Sequence, residues 1–283
     1  MRFLLFVTFL WAFSFSLIDN YLGEVDSYFA VLSRVVIAGS AMLPFTQIRG
    51  VHKELIVGMM CVGALQFGVT YLCLYQSFRF LSAPEVLLFT IMTPVFVTLF
   101  DDALNRRFSV PAMAAALLAV LGAGVIRYDG ITESGYMLGF VLMQIANASF
   151  AAGQVGYKQL VKRYSTNIPP FRFFGYFYLG AIIIILTGYL LFGNLSMMPS
   201  TTTQWAVLIW LGLGASAIGS FLWNHGGTKV DAGTLAVMNN AVIPVGLVVN
   251  ILIWNRDADL VRLTLGASIM ILGLVVNRFG SKR

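Results

Sequence analysis

The stretch from Ser220 to Trp254 reads SFLWNHGGTKVDAGTLAVMNNAVIPVGLVVNILIW. It has the form of a membrane helix end, a tight polar turn, and a second apolar helix carrying an Asn pair and a proline. An earlier stretch, Tyr71 to Phe100, reads YLCLYQSFRFLSAPEVLLFTIMTPVFVTLF and has the same layout. Ala83 falls on Ala232 with an offset of 149 residues (232 − 83), and Pro94 falls on Pro244 with an offset of 150 (244 − 94). A pattern that recurs at such a distance marks one half of the chain as a copy of the other, and the whole fold is read through that repeat.

Composition sets the class. Of the 283 residues 59% are hydrophobic and 11% are charged, against roughly 25% charged in a soluble domain. Apolar runs of about 20 residues recur, each long enough to cross a ~30 Å hydrocarbon layer as a helix. The runs are continuous and do not alternate, which argues against a β-barrel. Cys61 and Cys73 lie twelve residues apart (73 − 61) on one predicted helix, too far for a disulfide. Two Cys and two His so dispersed offer no metal site, and neither a metal nor another cofactor is expected. The N-terminal MRFLLFVTFLWAFSFSLIDNYL resembles a signal peptide but lacks a small-x-small cleavage site, so it reads as a retained first helix.

Taken in order, the predicted spans are about Phe3–Tyr21, Tyr28–Phe45, Glu54–Ser77, Ser82–Phe100, Val110–Ile126, Gly135–Gly156, Phe171–Phe192, Gln204–Gly226, Ala232–Trp254 and Leu260–Val276. The stretch KQLVKRYSTNIPP after the sixth is expected as a basic loop. Short loops make consecutive helices antiparallel neighbours. Placing the N-terminus inside puts Arg2, Arg49, Lys53, Arg106, Arg107, Lys158, Lys162, Arg163, Arg172, Lys229, Arg278, Lys282 and Arg283 on the cytoplasmic side. Only Arg79, Arg127, Arg256 and Arg262 fall outside, and Arg34 lies within a span. This positive-inside bias predicts cytoplasmic termini and accounts for the net charge of +6. No basic stripe with interleaved aromatics suggests nucleic acid.

Five helices per half is an odd number, so the second half enters the membrane from the opposite side. The expectation is an all-α integral membrane protein of ten transmembrane helices, built as two inverted five-helix repeats over residues 1–128 and 129–283. Trp11 to Ser16 (WAFSFS) echoes Ala146 to Ala151 (ANASFA), and Arg34 echoes Arg172. Inverted repeats are characteristic of secondary transporters, with the substrate site at the midplane between the halves.

The chain resembles the ten-helix drug/metabolite transporter superfamily, whose five-helix repeat is called EamA. The resemblance covers nearly the whole chain. It rests on the aromatic-rich first helix with Trp11, on Arg34, on GALQFGVTYLCLYQSFRFLSAPEVLLFTIMTPVFV from Gly63 to Val97, and on AGTLAVMNNAVIPVGLVVN from Ala232 to Asn250. It implies a secondary transporter of the inner (cytoplasmic) membrane of a prokaryote, exporting a small metabolite. An amino acid or related amphipathic compound is the first expectation for cargo, and protons are the coupling ion the resemblance suggests. A multidrug or organic-cation exporter is the alternative. The small multidrug proteins of the superfamily carry a Glu deep in the first helix, where this chain offers only Asp19 at the end. An enzyme or channel is disfavoured by the absence of nucleophile, metal or filter motifs.

Polar side chains within spans are costly and tend to face a cavity or a partner helix. Gln66 and Thr70 share a predicted face with Gly63, Cys73 and Ser77, as cavity wall or interhelical glue. Asn147 and Gln154 share a face among small residues, with Gln144 close by. Gly212, Ser216, Ser220 and Asn224 recur every four residues, and the first three read as a packing seam. Asn239 and Asn240 offer amide donors and acceptors for a zwitterion or carboxylate, or else mark a kink at Pro244. The expected substrate-binding set is Trp11, Gln66, Asn147, Gln154, Asn239 and Asn240. The expected gate or coupling set is Arg34, Glu85, Asn224 and His225. For Glu85 and Arg34 the ordinary roles are a helix-start carboxylate and a snorkelling cation. The sharper reading pairs them as an outer gate, or has Arg34 meet a carboxylate while Glu85 carries the proton.

Overall fold

The computed structural model describes residues 2–104, 106, 108, 110–126, 134–164, 168–230, 232–254 and 260–280. Arg107, Arg127, Arg256, Lys282 and Arg283 of the charge count lie outside the described residues. The described secondary structure is helical. Among these residues eight helices are long and apolar enough to cross a membrane.

The helices are α1 (Arg2–Tyr21), α2 (Ser27–Met42), α3 (Lys53–Ser77), α4 (Ala83–Phe89 continuing to Thr93–Leu104) and α5 (Val110–Ile126). They continue with α6 (Ser134–Arg163), α7 (Gly175–Phe192), α8 (Thr202–Gly227), α9 (Ala232–Trp254) and α10 (Leu260–Gly280). The starts follow local chemistry. Asp26 caps α2 by accepting from the Phe29 N–H at 2.8 Å. Thr201 and Gln204 form a reciprocal capping box at the start of α8. Large apolar side chains such as Phe6, Phe9, Leu190, Leu191 and Leu252 face outward, as suits a molecule whose solvent is lipid.

Two sequence expectations change. The basic stretch after the sixth span is helix as far as Arg163, because Gln, Leu, Lys and Arg are good helix formers and outweigh the single Val161. At 30 residues, α6 is about 45 Å long at 1.5 Å per residue, longer than the hydrocarbon layer. Lys162 and Arg163 thus sit on its last turn, where cations suit the helix dipole. The echo between Arg34 and Arg172 does not extend to their surroundings. Arg172 is exposed in a 3-10 turn before α7, whereas Arg34 is 3% exposed within α2.

Three helices are irregular in the middle. The α3 helix passes through a π-helical stretch at Ala64–Val69 and α8 through one at Leu211–Gly219. The α8 stretch, LGLGASAIG, is rich in glycine and small residues, and the α3 stretch, ALQFGV, carries Ala64 and Gly68. Widening the turn leaves carbonyls that other helices satisfy. The Trp11 indole N–H donates to the Ala215 carbonyl at 2.9 Å, and the Tyr178 hydroxyl to the Ser216 carbonyl at 2.8 Å. The α4 helix tightens into a 3-10 turn at Thr90–Met92, just before Pro94, which has no N–H to offer the Thr90 carbonyl. The Thr93 N–H turns to Thr90 instead. By contrast α9 is a continuous helix through Pro244.

Helices early in the chain pack against late ones. α1 lies against α8 and α9, α2 against α7 and α8, α3 against α6 and α7, and α4 against α6 and α9. The α5–α10 pair packs chiefly against itself at the side. In lipid, helix association comes from close packing and polar cross-links. The α3–α7 seam brings backbone onto backbone: a Cβ on Gly63 would overlap the Phe177 carbonyl, and one on Gly180 would overlap the Met60 carbonyl.

Candidate functional site

A cavity of about 100 Å³ lies between α1, α2, α3, α4, α6 and α9. Its walls are mainly aromatic and aliphatic, with a few polar groups set among them, the usual make-up of a small-molecule site.

The aromatic wall is built on α1. Trp11 lies against Trp223 with ring centroids 4.8 Å apart and meets Phe150 edge-on at 5.8 Å. Its N–H bond to the π stretch of α8 fixes the ring. Trp11 and Phe150 line the cavity, and Phe15 continues the wall.

On α2, Arg34 turns inward. Its Nε donates to the Ser216 hydroxyl at 2.6 Å, and its two terminal nitrogens donate to the Tyr75 and Tyr71 hydroxyls, each at 3.3 Å. The guanidinium carbon sits 4.3 Å from the Tyr71 ring centroid, a cation–π contact. Tyr71, Tyr75, Tyr178 and Ser216 are all buried. Every hydrogen-bond partner of Arg34 among the described residues is therefore a neutral hydroxyl. Snorkelling to the headgroups is replaced by burial in a hydroxyl cage.

The third group is an amide shelf. Asn147 on α6 donates to the Phe89 carbonyl at 2.8 Å, the carbonyl released where α4 tightens, and accepts from the Thr93 hydroxyl at 3.3 Å. Asn239 on α9 pairs reciprocally with Gln154: Gln154 Nε2 donates to Asn239 Oδ1 at 3.1 Å, and Asn239 Nδ2 to Gln154 Oε1 at 3.2 Å. Asn147, Asn239 and Thr93 line the cavity, and Gln154 stands behind Asn239.

Of the residues singled out in the sequence, Trp11, Arg34, Asn147 and Asn239 thus share one cavity. Gln66 and Asn240 are absent from its lining. Gln66 is fully buried against Gly153 on α6. Its predicted face with Thr70 is broken because the π stretch rotates α3 between them, so that Thr70 alone lines the cavity. Both amide atoms of Gln66, and Oδ1 of Asn240, have no hydrogen-bond partner among the described residues. Glu85 is a capping carboxylate, accepting from the Ser82 N–H at 2.8 Å and the Ser82 hydroxyl at 2.9 Å. It is not a hydrogen-bond partner of Arg34. Asn224 donates to the Ser220 carbonyl at 3.0 Å, and His225 stacks on Phe221 at 5.7 Å, both away from the cavity. Sequence reasoning missed Tyr71 and Tyr75, and took Ser216 for part of a packing seam. The available signal was two tyrosines four residues apart in a span that faces Arg34.

A profile of the EamA-like transporter family matches residues 1–128 and 137–279. A "Probable biotin transporter" of Pseudomonas aeruginosa is 59% identical over 283 residues, covering 100% of this chain and 99% of the relative. "Biotin transporter" proteins of Salmonella typhimurium and Escherichia coli are 45% and 44% identical over 280 residues, each covering 98% of this chain and 93% of the relative. A solved crystal structure 16% identical in sequence superposes with a TM-score of 0.69, covering 98% of this chain and 96% of the other, a likeness of fold.

Proposed function

The chain belongs to the EamA-like transporter family, and on that premise we propose that it moves biotin across the membrane. The observation that carries this reading is the 59% identity, over the whole chain, to a relative named for biotin. It replaces the amino acid as the expected cargo. The cavity suits the molecule: biotin is a small, flexible carboxylic acid with an apolar thioether ring and a neutral ureido head. The site has aromatic walls, one buried cation and neutral amides.

The architecture proposed for this activity is ten spans in two inverted five-helix repeats, with both termini cytoplasmic. Support comes from the two segments matched by the family profile. It also comes from the π stretches in α3 and α8, the third helix of each half, and from the packing of early helices on late ones. Rocking of one half against the other would then open the cavity to each side in turn. The orientation is tested with Arg163→Cys in a background lacking Cys61 and Cys73. A membrane-impermeant maleimide should leave it unlabelled in intact cells, and labelling from outside reverses the topology.

The function is tested in proteoliposomes loaded with unlabelled biotin and diluted into radiolabelled biotin. Saturable counterflow is expected for biotin and not for a panel of amino acids, organic cations and sugar phosphates. Proton coupling and export rest on family resemblance alone and are read in the same vesicles. Under proton exchange, an imposed pH gradient drives net biotin movement against the flow of protons. Identical fluxes with and without the gradient remove the proton.

A further inference from the structure

We propose that Arg34 is the anchor for the cargo's carboxylate, and that the amide shelf of Asn147 and Asn239 receives the polar head at the other end of the molecule. The carboxylate half stands on the geometry of this chain; the assignment of the head as a ureido group rests on the biotin reading.

The first argument is charge. A buried guanidinium is costly without an anion, and the cost is met by a paired charge with good geometry. Arg34 is 3% exposed, and its hydrogen-bond partners among the described residues are the hydroxyls of Ser216, Tyr71 and Tyr75. Those groups orient the cation without neutralising it. Arg34 also lines the cavity, so an anionic ligand is the group positioned to supply the missing charge.

The second argument is donor arithmetic. A guanidinium carries five N–H donors. One goes to Ser216, one to Tyr75 and one to Tyr71. Two remain, one on each terminal nitrogen, which is what a bidentate carboxylate requires. The Tyr71 ring under the guanidinium plane holds the fork in orientation. A Lys at this position would keep the charge and lose the fork.

The third argument concerns the amide shelf. Among the described residues the Asn147 Oδ1 accepts only from Thr93, and the Asn239 Oδ1 only from Gln154. Each amide oxygen has two lone pairs, so each keeps one acceptor site. Two neutral acceptors suit the two N–H groups of a ureido ring. They offer no counter-charge to the ammonium of an amino acid. Arg34, Asn147 and Asn239 line the same cavity, whose remaining walls are aromatic and aliphatic and suit a thioether ring and a hydrocarbon tail. The site so assembled selects a monocarboxylate with a neutral hydrogen-bonding head, and it discriminates against zwitterions.

The test compares free acids with their neutral analogues. In wild-type proteoliposomes, biotin methyl ester and biotinol should compete with radiolabelled biotin at least about tenfold more weakly than unlabelled biotin, the scale of a lost charged hydrogen bond. Arg34→Gln should raise the biotin KM by a similar factor while leaving competition between biotin and biotinol nearly equal. Arg34→Lys should fall between. Ligand-induced shifts in Tm of the detergent-purified protein are measured in parallel with biotin, dethiobiotin, lipoate and octanoate, and with their methyl esters. If wild type moves biotin and the ester competes as well as the acid, the Arg34 anchor is overturned and the biotin reading stands. This comparison needs no variant to fold. If wild type moves no biotin yet the other acids raise its Tm and their esters do not, biotin falls and the anchor stands. If no acid outperforms its ester in either assay, the anchor falls.

Discussion

Asn239 and Gln154 satisfy each other across α6 and α9 through two hydrogen bonds. Removing one partner leaves the other buried amide stranded, which costs about 1–3 kcal/mol, whereas removing both with apolar residues of similar shape is nearly neutral. Asn239→Leu should therefore lower Tm, and the Asn239→Leu/Gln154→Leu double variant should recover most of the loss. Thermal melts of the purified protein check this; an additive loss in the double variant refutes the pairing. Both residues were legible in the sequence as costly amides within spans. Their pairing was not, because the rotation of α6 relative to α9 is set by packing rather than by either sequence alone. Glu85 was legible in its ordinary role as a helix-start carboxylate; the fold makes it half of a capping box with Ser82. Gln can fill the same role, so Glu85→Gln should keep counterflow and gradient-driven transport alike. Loss of only the driven transport, in the vesicle assay, would restore Glu85 as a proton carrier.

At the scale of the element, apolar length gave the helices and their starts within a few residues. Periodicity could not give the π stretches of α3 and α8, because a face projected at 3.6 residues per turn assumes a regular helix. Gln66 and Thr70 part company for that reason. Nor could the sequence say which glycines touch backbone. Gly63 on α3 and Gly180 on α7 do so reciprocally, and an added methyl at either meets a carbonyl of the facing helix, not a flexible side chain. Gly63→Ala should destabilise by about 1–3 kcal/mol, the usual cost of overpacking. Gly23→Ala, where the new Cβ would meet only the Asp19 carbonyl at 3.8 Å, should melt near wild type. Equal melting temperatures for the two variants would contradict the seam.

At the scale of the molecule, composition was enough to read a multi-pass membrane protein, and the resemblance carried by Trp11, Arg34 and the stretches Gly63 to Val97 and Ala232 to Asn250 was enough to read the transporter family; the cavity drew together four of the ten residues singled out: Trp11, Arg34, Asn147 and Asn239. Cargo was not legible, because no motif encodes it. On the proposed reading it is set by a hydroxyl-caged Arg34 together with two half-used amides, a combination that exists only after folding. The central claim is that biotin occupies this cavity. The direct measurement is substrate protection of a cysteine placed in its wall. Ser14→Cys, in a background with Cys61 and Cys73 replaced, puts a thiol at the cavity. Its rate of maleimide modification is followed in membranes with and without ligand. The account predicts that saturating biotin slows labelling several-fold while amino acids leave it unchanged. An unchanged rate in biotin, from a variant that still carries out biotin counterflow, would place the transport path elsewhere.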